Sequence, residues 1–278
     1  MILLRQTTFD QGLGSEWNQL LVAERQGYST SVADYHRHRF YEINLILSGN
    51  VKILLGDTSE EGRENRLVLT RPGTPHYITC SPDTLYHRLY LLFTDEFIED
   101  YLPEWSQLST IFGENGSVLT LTAAQTALFR QQLLRIREEE SRFRQRLMIY
   151  DLLSRIHEQK DNDGPRRQIA PSYILQALTF LDEHCGDRIV AADLAERLHI
   201  GRTTLMTEFK RHLGSTMVDY LTPCRLRRAV TLLQGGSTVE AAAALCGFAD
   251  TSGLVRAFKR CYGVPPRTYL SQLKDKKA

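Results

Sequence analysis

One motif occurs twice in the C-terminal part of this 278-residue chain, and it limits the possible folds more than any other feature. The stretches 209–214 and 258–263 both read F-K-R-x-x-G. Each is followed, after five residues, by the pair Tyr-Leu, at Tyr220-Leu221 and at Tyr269-Leu270. Every matched position is displaced by 49 residues. Spaced identity of this length is too specific for chance, and it predicts a duplicated structural unit.

Each copy ends a pattern that predicts a helix-turn-helix unit, over about 191–213 and about 239–262. Ala195 and Ala243 put a small side chain in the first helix of each unit, where two helices approach closely. Asp250 is expected to cap the second helix of the later unit. The buried face of each second helix is predicted from apolar residues four positions apart: Leu205 and Phe209, then Leu254 and Phe258.

The opposite face of each second helix carries short polar side chains and arginines, which can bond to base edges in the DNA major groove. The predicted base contacts are Arg202, Thr203, Met206, Thr207, Thr251, Ser252, Val255 and Arg256. The predicted phosphate contacts are Lys210, Arg211, Lys259 and Arg260. For each of these residues the alternative is an ordinary solvated position on a helix.

The C-terminal hundred residues resemble the DNA-binding domain of AraC/XylS-type bacterial transcription regulators. The residues that carry this resemblance are Ala195, Leu205, Phe209-Lys210, Gly214, Tyr220, Arg225-Leu226, Ala229, Leu232-Leu233, Ala243, Gly247-Phe248, Leu254, Phe258-Lys259, Gly263, Pro266 and Tyr269. The resemblance implies two helix-turn-helix units that enter successive major-groove segments and are joined by a long helix, here about 216–234.

The chain departs from the family pattern at four positions. Gly201 replaces the usual serine cap of the first reading helix, Ala242 replaces a bulky aliphatic residue, and Gly253 replaces a larger one. Pro223 lies inside the expected linking helix and should kink it or delay its start. The run of four alanines that includes Ala242, together with Gly253 and Pro223, predicts a looser second unit, with most of the base discrimination in the first.

The formal net charge of +1 is divided unevenly along the chain. Residues 1–164 carry 17 Lys and Arg against 23 Asp and Glu, whereas residues 165–278 carry 17 against 10. This division favours nucleic-acid binding by the C-terminal part. No signal peptide or membrane-length apolar run is evident, which predicts a cytoplasmic protein. The five scattered cysteines are therefore expected to be buried free thiols.

The N-terminal part changes character twice along its length. Residues 1–121 are predicted to form an all-β, cupin-like barrel, and residues 122–160 a helical segment that packs on this barrel or forms a dimer. Residues 161–171 are interpreted as a linker, and 172–278 as the all-α DNA-binding domain, with Ser172 as its first cap. The clearest predicted strands are Glu42–Leu47, Val51–Leu55, Arg66–Leu69 and Arg88–Phe93.

Two motifs in the barrel resemble those of cupins. His36, His38, Glu42 and Gly49 have the spacing H-x-H-x3-E-x6-G, and a partial second motif, P-G-x-x-H, ends at His76. The predicted effector-binding residues are His36, His38, Glu42, Arg71, His76, Tyr77 and Tyr90. His36, His38, Glu42 and His76 would alternatively suit a transition metal. No cofactor is predicted, because sensor domains of the resembled family bind small effectors on the same skeleton.

These observations predict a sequence-specific regulator that binds double-stranded DNA and responds to a small effector, with a sugar or a small anionic metabolite favoured. The resemblance implies a homodimer, activation of transcription and contact with RNA polymerase. Two alternatives stay open. One is a metal-dependent cupin enzyme with a DNA-binding tail, and the other is a regulator that needs no ligand.

Overall fold

The computed structural model describes residues 19–28, 35–80, 84–98, 104–159 and 168–275. The chain divides into two compact units. The first comprises Met1–Ser29 with His36–Ile169, and the second comprises Thr30–Tyr35 with Ala170–Ala278. In the described part of the chain, no helix is both long and apolar enough to cross a membrane.

The first unit is built on two antiparallel sheets, which we call the barrel. Its strands are β1 (Leu20–Tyr28), β2 (Tyr41–Ser48), β3 (Val51–Leu55), β4 (Thr58–Gly62), β5 (Arg66–Thr70), β6 (His76–Cys80), β7 (Leu85–Phe93), β8 (Ser117–Thr120) and β9 (Gln168–Ile169). One sheet has the order β1-β7-β2-β5-β8 and the other β6-β3-β4-β9. The four strands predicted from the sequence correspond to β2, β3, β5 and β7.

Alternation along the strands gives the barrel an inner and an outer apolar layer, because successive side chains point to opposite faces of a sheet. Ile46 on β2 and Val68 on β5 meet Ile53 and Ile78 of the other sheet in the inner layer. The neighbouring position on β2, Leu45, faces outward into a larger cluster that includes helical residues. Both faces of β2 are therefore buried.

The helical segment covers the outer layer of its own barrel. The helices of this unit are α1 (Asp95–Ile98), α2 (Trp105–Leu108), α3 (Ala123–Glu138) and α4 (Arg142–His157), with a 3₁₀ turn at Ser109–Phe112. Phe129 and Leu133 of α3 and Leu153 of α4 are buried in the outer cluster. Leu128 of α3 and Leu147 of α4 lie outside this cluster and are 40% and 54% exposed.

The expected linker is only partly described. Residues 160–167 lie outside the described residues, and Gln168–Ile169 form β9, which pairs with Thr58 and Ser59 of β4. The sequence-based linker, 161–171, is thus too long at its C-terminal end. Gln168 and Ile169 were expected to belong to the linker. They form a strand because the edge of β4 offers backbone groups that can pair with them.

The second unit consists of helices, as the sequence predicts. They are α5 (Ser172–Glu183), α6 (Ala191–Arg197), α7 (Arg202–Leu213), α8 (Met217–Gln234), α9 (Val239–Leu245), α10 (Thr251–Tyr262) and α11 (Pro266–Asp275). Pro171 occupies the cap position of α5 without a side-chain bond, so Ser172 is the first helical residue and not the cap. Because α8 already begins at Met217, Pro223 does not delay its start.

One prediction about the cysteines is wrong. Cys185, which follows α5, forms a disulfide with Cys224 of α8, with 6.5 Å between their Cα atoms. The other three cysteines, Cys80, Cys246 and Cys261, are buried and form no disulfide. The pair was not visible in the sequence because 39 residues separate its members and only the packing of α8 beside α5 brings them together.

Candidate functional site

The first reading helix, α7, separates an apolar from a polar face. Leu205 and Phe209 are fully buried, whereas Met206 is 46% exposed. The other predicted base contacts on α7, Arg202, Thr203 and Thr207, are exposed as well. Gly201 occupies the cap position without a side-chain hydrogen bond, so the first turn has amide groups that no cap satisfies. Those amides and the exposed side chains are available to DNA.

The second reading helix, α10, repeats this arrangement with a cap. The Gly253 amide donates to Asp250 Oδ1 at 2.6 Å, as the sequence predicts. Leu254 and Phe258 are fully buried in the core of this helix-turn-helix unit. Of the predicted base contacts, Ser252 and Arg256 are exposed, and Thr251 and Val255 are half-buried. The structure thus directs the predicted contact positions of both helices away from their cores.

The four predicted phosphate contacts divide into two kinds. Lys210 and Lys259 are exposed. Arg211 Nε donates to Glu208 Oε1 at 3.1 Å, and Arg260 lies 3.6 Å from an Asp219 carboxylate oxygen. The hydrogen bond from Arg211 also holds the pKa of Glu208 below its ordinary value. Part of the charge of both arginines is therefore already neutralised within the protein.

The segment between α5 and α6 is held by contacts from α8 and from the second helix-turn-helix unit. Arg225 of α8 donates from Nε to the Cys185 carbonyl and from Nη2 to the Asp187 carbonyl, each at 2.9 Å. Gly247, in the turn between α9 and α10, approaches this same segment: a Cβ atom built on it would lie 2.5 Å from the Asp187 carbonyl oxygen. The turn of the second helix-turn-helix unit thus packs directly on the backbone of the segment between α5 and α6, just before the first helix-turn-helix unit.

The alanines of α9 contribute to a packed core. Ala242 and Ala243 are buried together with Cys246, Leu254 and Phe258. The small side chains allow α9 to approach its neighbours closely, which explains Ala242 where the family pattern has a bulky residue. The expectation that the first helix-turn-helix unit supplies most of the base discrimination stays a prediction.

A buried carboxyl in this domain predicts a pH-dependent stability. Tyr220 Oη donates to Asp182 Oδ1 at 2.7 Å, and burial raises the pKa of Asp182 to about 7. Because the folded state then binds the proton more tightly than the unfolded state, this stabilisation is complete below about pH 4 and is lost as the pH rises through 7. From pH 5 to pH 8 we expect a loss of about 2.5 kcal/mol, because nearly two pH units lie between pH 5 and the pKa of Asp182 and each is worth about 1.4 kcal/mol.

Urea unfolding of the full chain at both pH values checks this expectation. Asp182→Asn should remove most of that difference, because the amide carries no titrating proton. If the variant shows the same loss between pH 5 and pH 8 as the parent protein, Asp182 is not its source.

The barrel brings four of the predicted effector residues together, and we call His36, His38, Glu42 and His76 the histidine cluster. Their potential ligand atoms all lie within 4.8 Å of one another. Glu42 Oε2 lies 3.0 Å from His38 Nε2 and 3.1 Å from His76 Nε2. The side chains of His38, Glu42 and His76 are at most 3% exposed.

Backbone contacts hold the histidine cluster together. His36 and His76 exchange two backbone hydrogen bonds, of 3.0 and 2.8 Å, and the Gly73 amide donates to the His38 carbonyl at 2.8 Å. Gly73 has φ of +80°, which favours glycine, and this turn carries the chain into β6 at His76. Glu42 points inward because it has the same parity as Ile46 on β2.

The electrostatics of the histidine cluster favour an ionised carboxylate among imidazoles. Burial opposes the ionisation of Glu42, but its contacts with His38 and His76 hold its pKa well below the ordinary value. Burial, followed by the neighbouring His76, lowers the pKa of His36 well below its ordinary value. The imidazole of His36 is therefore neutral at physiological pH.

The other predicted effector residues are not all part of this cluster. Tyr90 is buried on β7, where its ring lies under the Arg88 guanidinium at 4.9 Å. Tyr77 is fully buried, but it follows His76 directly on β6 and so points to the opposite face of the strand. Arg71 is exposed in the turn before β6. Neither Arg71 nor Tyr77 is placed with the histidine cluster.

Sequence reasoning missed a second polar group inside the barrel. Arg88 is 5% exposed and donates from Nη1 to Asn44 Oδ1 at 2.9 Å. Arg25 of β1 lies opposite Arg88 in the strand register, and burial, followed by the charge of Arg88, lowers its pKa to about 10. Alternation could have indicated Asn44 and Arg88, because they share the parity of Glu42 and Tyr90 on two predicted strands.

Both halves of the chain match known family models. Residues 18–178, more than half of the chain, match the AraC-like ligand binding domain, and residues 194–272 match a helix-turn-helix domain. The chain belongs to the AraC family of transcription regulators. The resemblance first found in the C-terminal motifs thus extends to the N-terminal domain.

Individual AraC-type relatives differ in how much of the chain they match. The transcriptional activator RhaS of Yersinia pestis is 26% identical over 252 residues, which cover 86% of this chain and 89% of RhaS. A putative AraC-like regulator of Streptomyces lividans is 34% identical over 102 residues, which cover 36% of this chain and only 34% of that relative. ToxT of Vibrio cholerae, a solved structure, is 15% identical with a TM-score of 0.38 and covers 91% of this chain and 98% of that chain.

Proposed function

We propose that this protein is a sequence-specific DNA-binding regulator of transcription whose barrel binds a small effector. The observation that carries the proposal is the pair of reading helices, α7 and α10, each with a buried Leu-Phe face and an exposed polar face. The basic balance of residues 165–278 would attract the DNA backbone. The regulators among its relatives support a role other than that of an enzyme.

Arg256→Ala tests whether α10 reads sequence. The binding site is first obtained by selection from random DNA with the full chain. Loss of an arginine that bonds to a base costs about 1–3 kcal/mol, so affinity for the selected site should fall about tenfold or more, with little change on unrelated DNA. Arg188→Ala, which removes an exposed arginine before α6, is the matched control and should leave both affinities unchanged. An equal loss on both DNAs with Arg256→Ala would assign Arg256 to phosphate.

The polar group in the barrel favours an anionic effector over a neutral sugar. Arg25 of β1 is paired with Arg88 of β7, and the side chain that accepts a hydrogen bond from Arg88, that of Asn44, is neutral. A carboxylate or phosphate would neutralise these two cations and accept several of their hydrogen bonds. A thermal-shift screen of small carboxylates and sugar phosphates against uncharged sugars tests this: the anions should raise the unfolding temperature, and Arg88→Gln should abolish the rise.

We further propose that the protein acts as a cytoplasmic homodimer through α3 and α4, and that it activates transcription in contact with RNA polymerase. Leu128, Phe143 and Leu147 leave apolar surface on these two helices, at 40%, 65% and 54% exposure. The name of RhaS, a transcriptional activator that matches most of this chain, supports activation. Sedimentation equilibrium of the full chain tests the dimer.

A further inference from the structure

We propose that Cys185 and Cys224 are a redox-responsive pair: hydroperoxides oxidise the two thiols to a disulfide, and the disulfide strengthens the binding of DNA. The proposal rests on the proposed function, because it needs a DNA-binding protein in the cytoplasm. Disulfides are rare in that reducing compartment, and those that form there are usually transient and sense oxidants or take part in catalysis. A disulfide between these two cysteines therefore indicates regulation more than permanent stabilisation.

The pair lies where three parts of the DNA-binding domain meet. Cys185 follows α5 and Cys224 lies within α8, and the 6.5 Å between their Cα atoms is a separation that disulfides span. The segment 185–187 also accepts two hydrogen bonds from Arg225 of α8 and packs against Gly247 of the second helix-turn-helix unit. The disulfide therefore ties α8 to the segment that leads into the first helix-turn-helix unit.

Cys185 and Cys224 have the surroundings of reactive thiols. Cys224 is half-buried on α8, so a small oxidant can reach it, whereas Cys185 is 9% exposed. The guanidinium group of Arg225 donates to the Cys185 carbonyl, and that of Arg228 lies against Gly186. Positive charge near a cysteine favours its thiolate, which is the form that reacts with peroxides.

Two other cysteines of the domain have different surroundings. Cys246 is fully buried, and burial raises the pKa of its thiol. Burial likewise raises the pKa of the Cys261 thiol on α10. A buried thiol that stays protonated reacts slowly with oxidants. Oxidation within the domain is therefore expected at Cys185 and Cys224.

The oxidation consumes one hydroperoxide per pair. The Cys224 thiolate attacks an oxygen of the hydroperoxide, the O–O bond breaks, and an alcohol or water leaves, so that Cys224 becomes a sulfenic acid. The Cys185 thiolate then attacks the sulfur of Cys224, the S–S bond forms, and hydroxide leaves and is protonated to water. Two electrons pass from the two sulfur atoms to the peroxide. A dithiol reductant supplies two electrons and two protons for the return.

The disulfide should favour DNA binding because both reading helices must fit the DNA at the same time. In the reduced protein, noncovalent contacts such as those of Arg225 hold α8 to the segment 185–187, and α7 and α10 then have more accessible arrangements. DNA must select one of these arrangements, which lowers the apparent affinity. Coupling between two sites is typically worth about fivefold or more.

The DNA affinity of the full chain in two redox states tests the proposal. One sample is treated with a stoichiometric amount of hydrogen peroxide and another with a phosphine reductant, and both are titrated with the selected DNA site after the reagents are removed. The oxidised protein should bind about fivefold or more tightly. Cys224→Ser should bind like the reduced protein after either treatment. Cys261→Ala, which removes a buried thiol of the same domain, is the matched control and should keep the full response.

Alkylation of the denatured samples counts their thiols. All five cysteines should be alkylated in the reduced sample, and the three outside the pair in the oxidised one. The oxidised domain should also unfold at a temperature about 10 °C higher, because the disulfide closes a loop in the unfolded chain. Should Cys224→Ser fail to fold, Cys185→Ala supplies the same comparison.

Three results would overturn the proposal: equal DNA affinities in the two redox states, five alkylated cysteines in the oxidised sample, or a redox response that persists in Cys224→Ser. A chain that closes the disulfide but binds no DNA in either state would instead contradict the proposed function, and this proposal with it.

Discussion

Gly247→Ala should destabilise the DNA-binding domain by about 3 kcal/mol or more. Two costs add at this position. Gly247 has φ of +73°, and a residue with a Cβ atom pays about 1–2 kcal/mol in this left-handed conformation. Its Cβ atom would also lie 2.5 Å from the Asp187 carbonyl oxygen and 3.0 Å from that of Gly186, so backbone must move to make room. Overpacking of this kind costs about 1–3 kcal/mol.

Gly263→Ala separates the two costs. Gly263 has nearly the same φ, +75°, but no atom lies within 4 Å of its Cβ position. This variant should therefore lose only the conformational part, about 1–2 kcal/mol. Urea unfolding followed by far-UV circular dichroism measures both changes. Tryptophan fluorescence reports the barrel separately through Trp105, which is buried beside its outer layer, and no tryptophan of the sequence follows residue 170. Equal losses in the two variants would mean that the contact with Asp187 adds nothing.

A loss of the same size is expected when either repeated phenylalanine is truncated. Phe209 and Phe258 are both fully buried, and replacing a buried phenylalanine with alanine costs about 3–5 kcal/mol. Each ring also has an edge-to-face contact with a tyrosine of the repeated motif: Phe209 with Tyr220 at 5.7 Å between ring centroids, and Phe258 with Tyr269 at 5.7 Å. The reading helix of the altered unit would then lose its support, and affinity for the selected DNA site should fall about 100-fold or more, at 1.4 kcal/mol per factor of ten.

Lys210→Ala and Lys259→Ala are the matched controls, since each removes the neighbouring residue of the same motif. Both lysines are exposed, so the free energy of unfolding should change by less than about 0.5 kcal/mol. Affinity should fall by a similar factor on selected and unrelated DNA, as expected for phosphate contacts. A phenylalanine variant that unfolds at the same urea concentration as the parent protein would show that the repeated motif does not form the core of these units.

Local patterns were sufficient for the DNA-binding domain. The motif repeated at 209–214 and 258–263 predicted two equivalent helix-turn-helix units, and the apolar pairs at helical spacing predicted which faces are buried. Asp250 was predicted as a cap because capping needs only a carboxylate three residues before the amide it accepts from. Each of these features is set by residues within about one helical turn of each other.

Features that join distant segments could not be predicted in the same way. Pairing of Cys185 with Cys224 depends on how α8 packs beside α5, and the strand formed by Gln168–Ile169 depends on the free edge of β4. Spacing rules contain no information about either contact.

For the barrel, the sequence by itself determined which residues are candidates for chemistry, because the motif H-x-H-x3-E and the later His76 are visible in the letters. Only the tertiary structure decided what these residues can do. It placed Arg71 and Tyr77 away from the histidine cluster, and it committed His76 Nδ1 to the Thr74 carbonyl, so that Nε2 faces Glu42. The physical reason is that the role of an imidazole depends on the partner of each ring nitrogen, and those partners come from strands that meet only in the folded barrel.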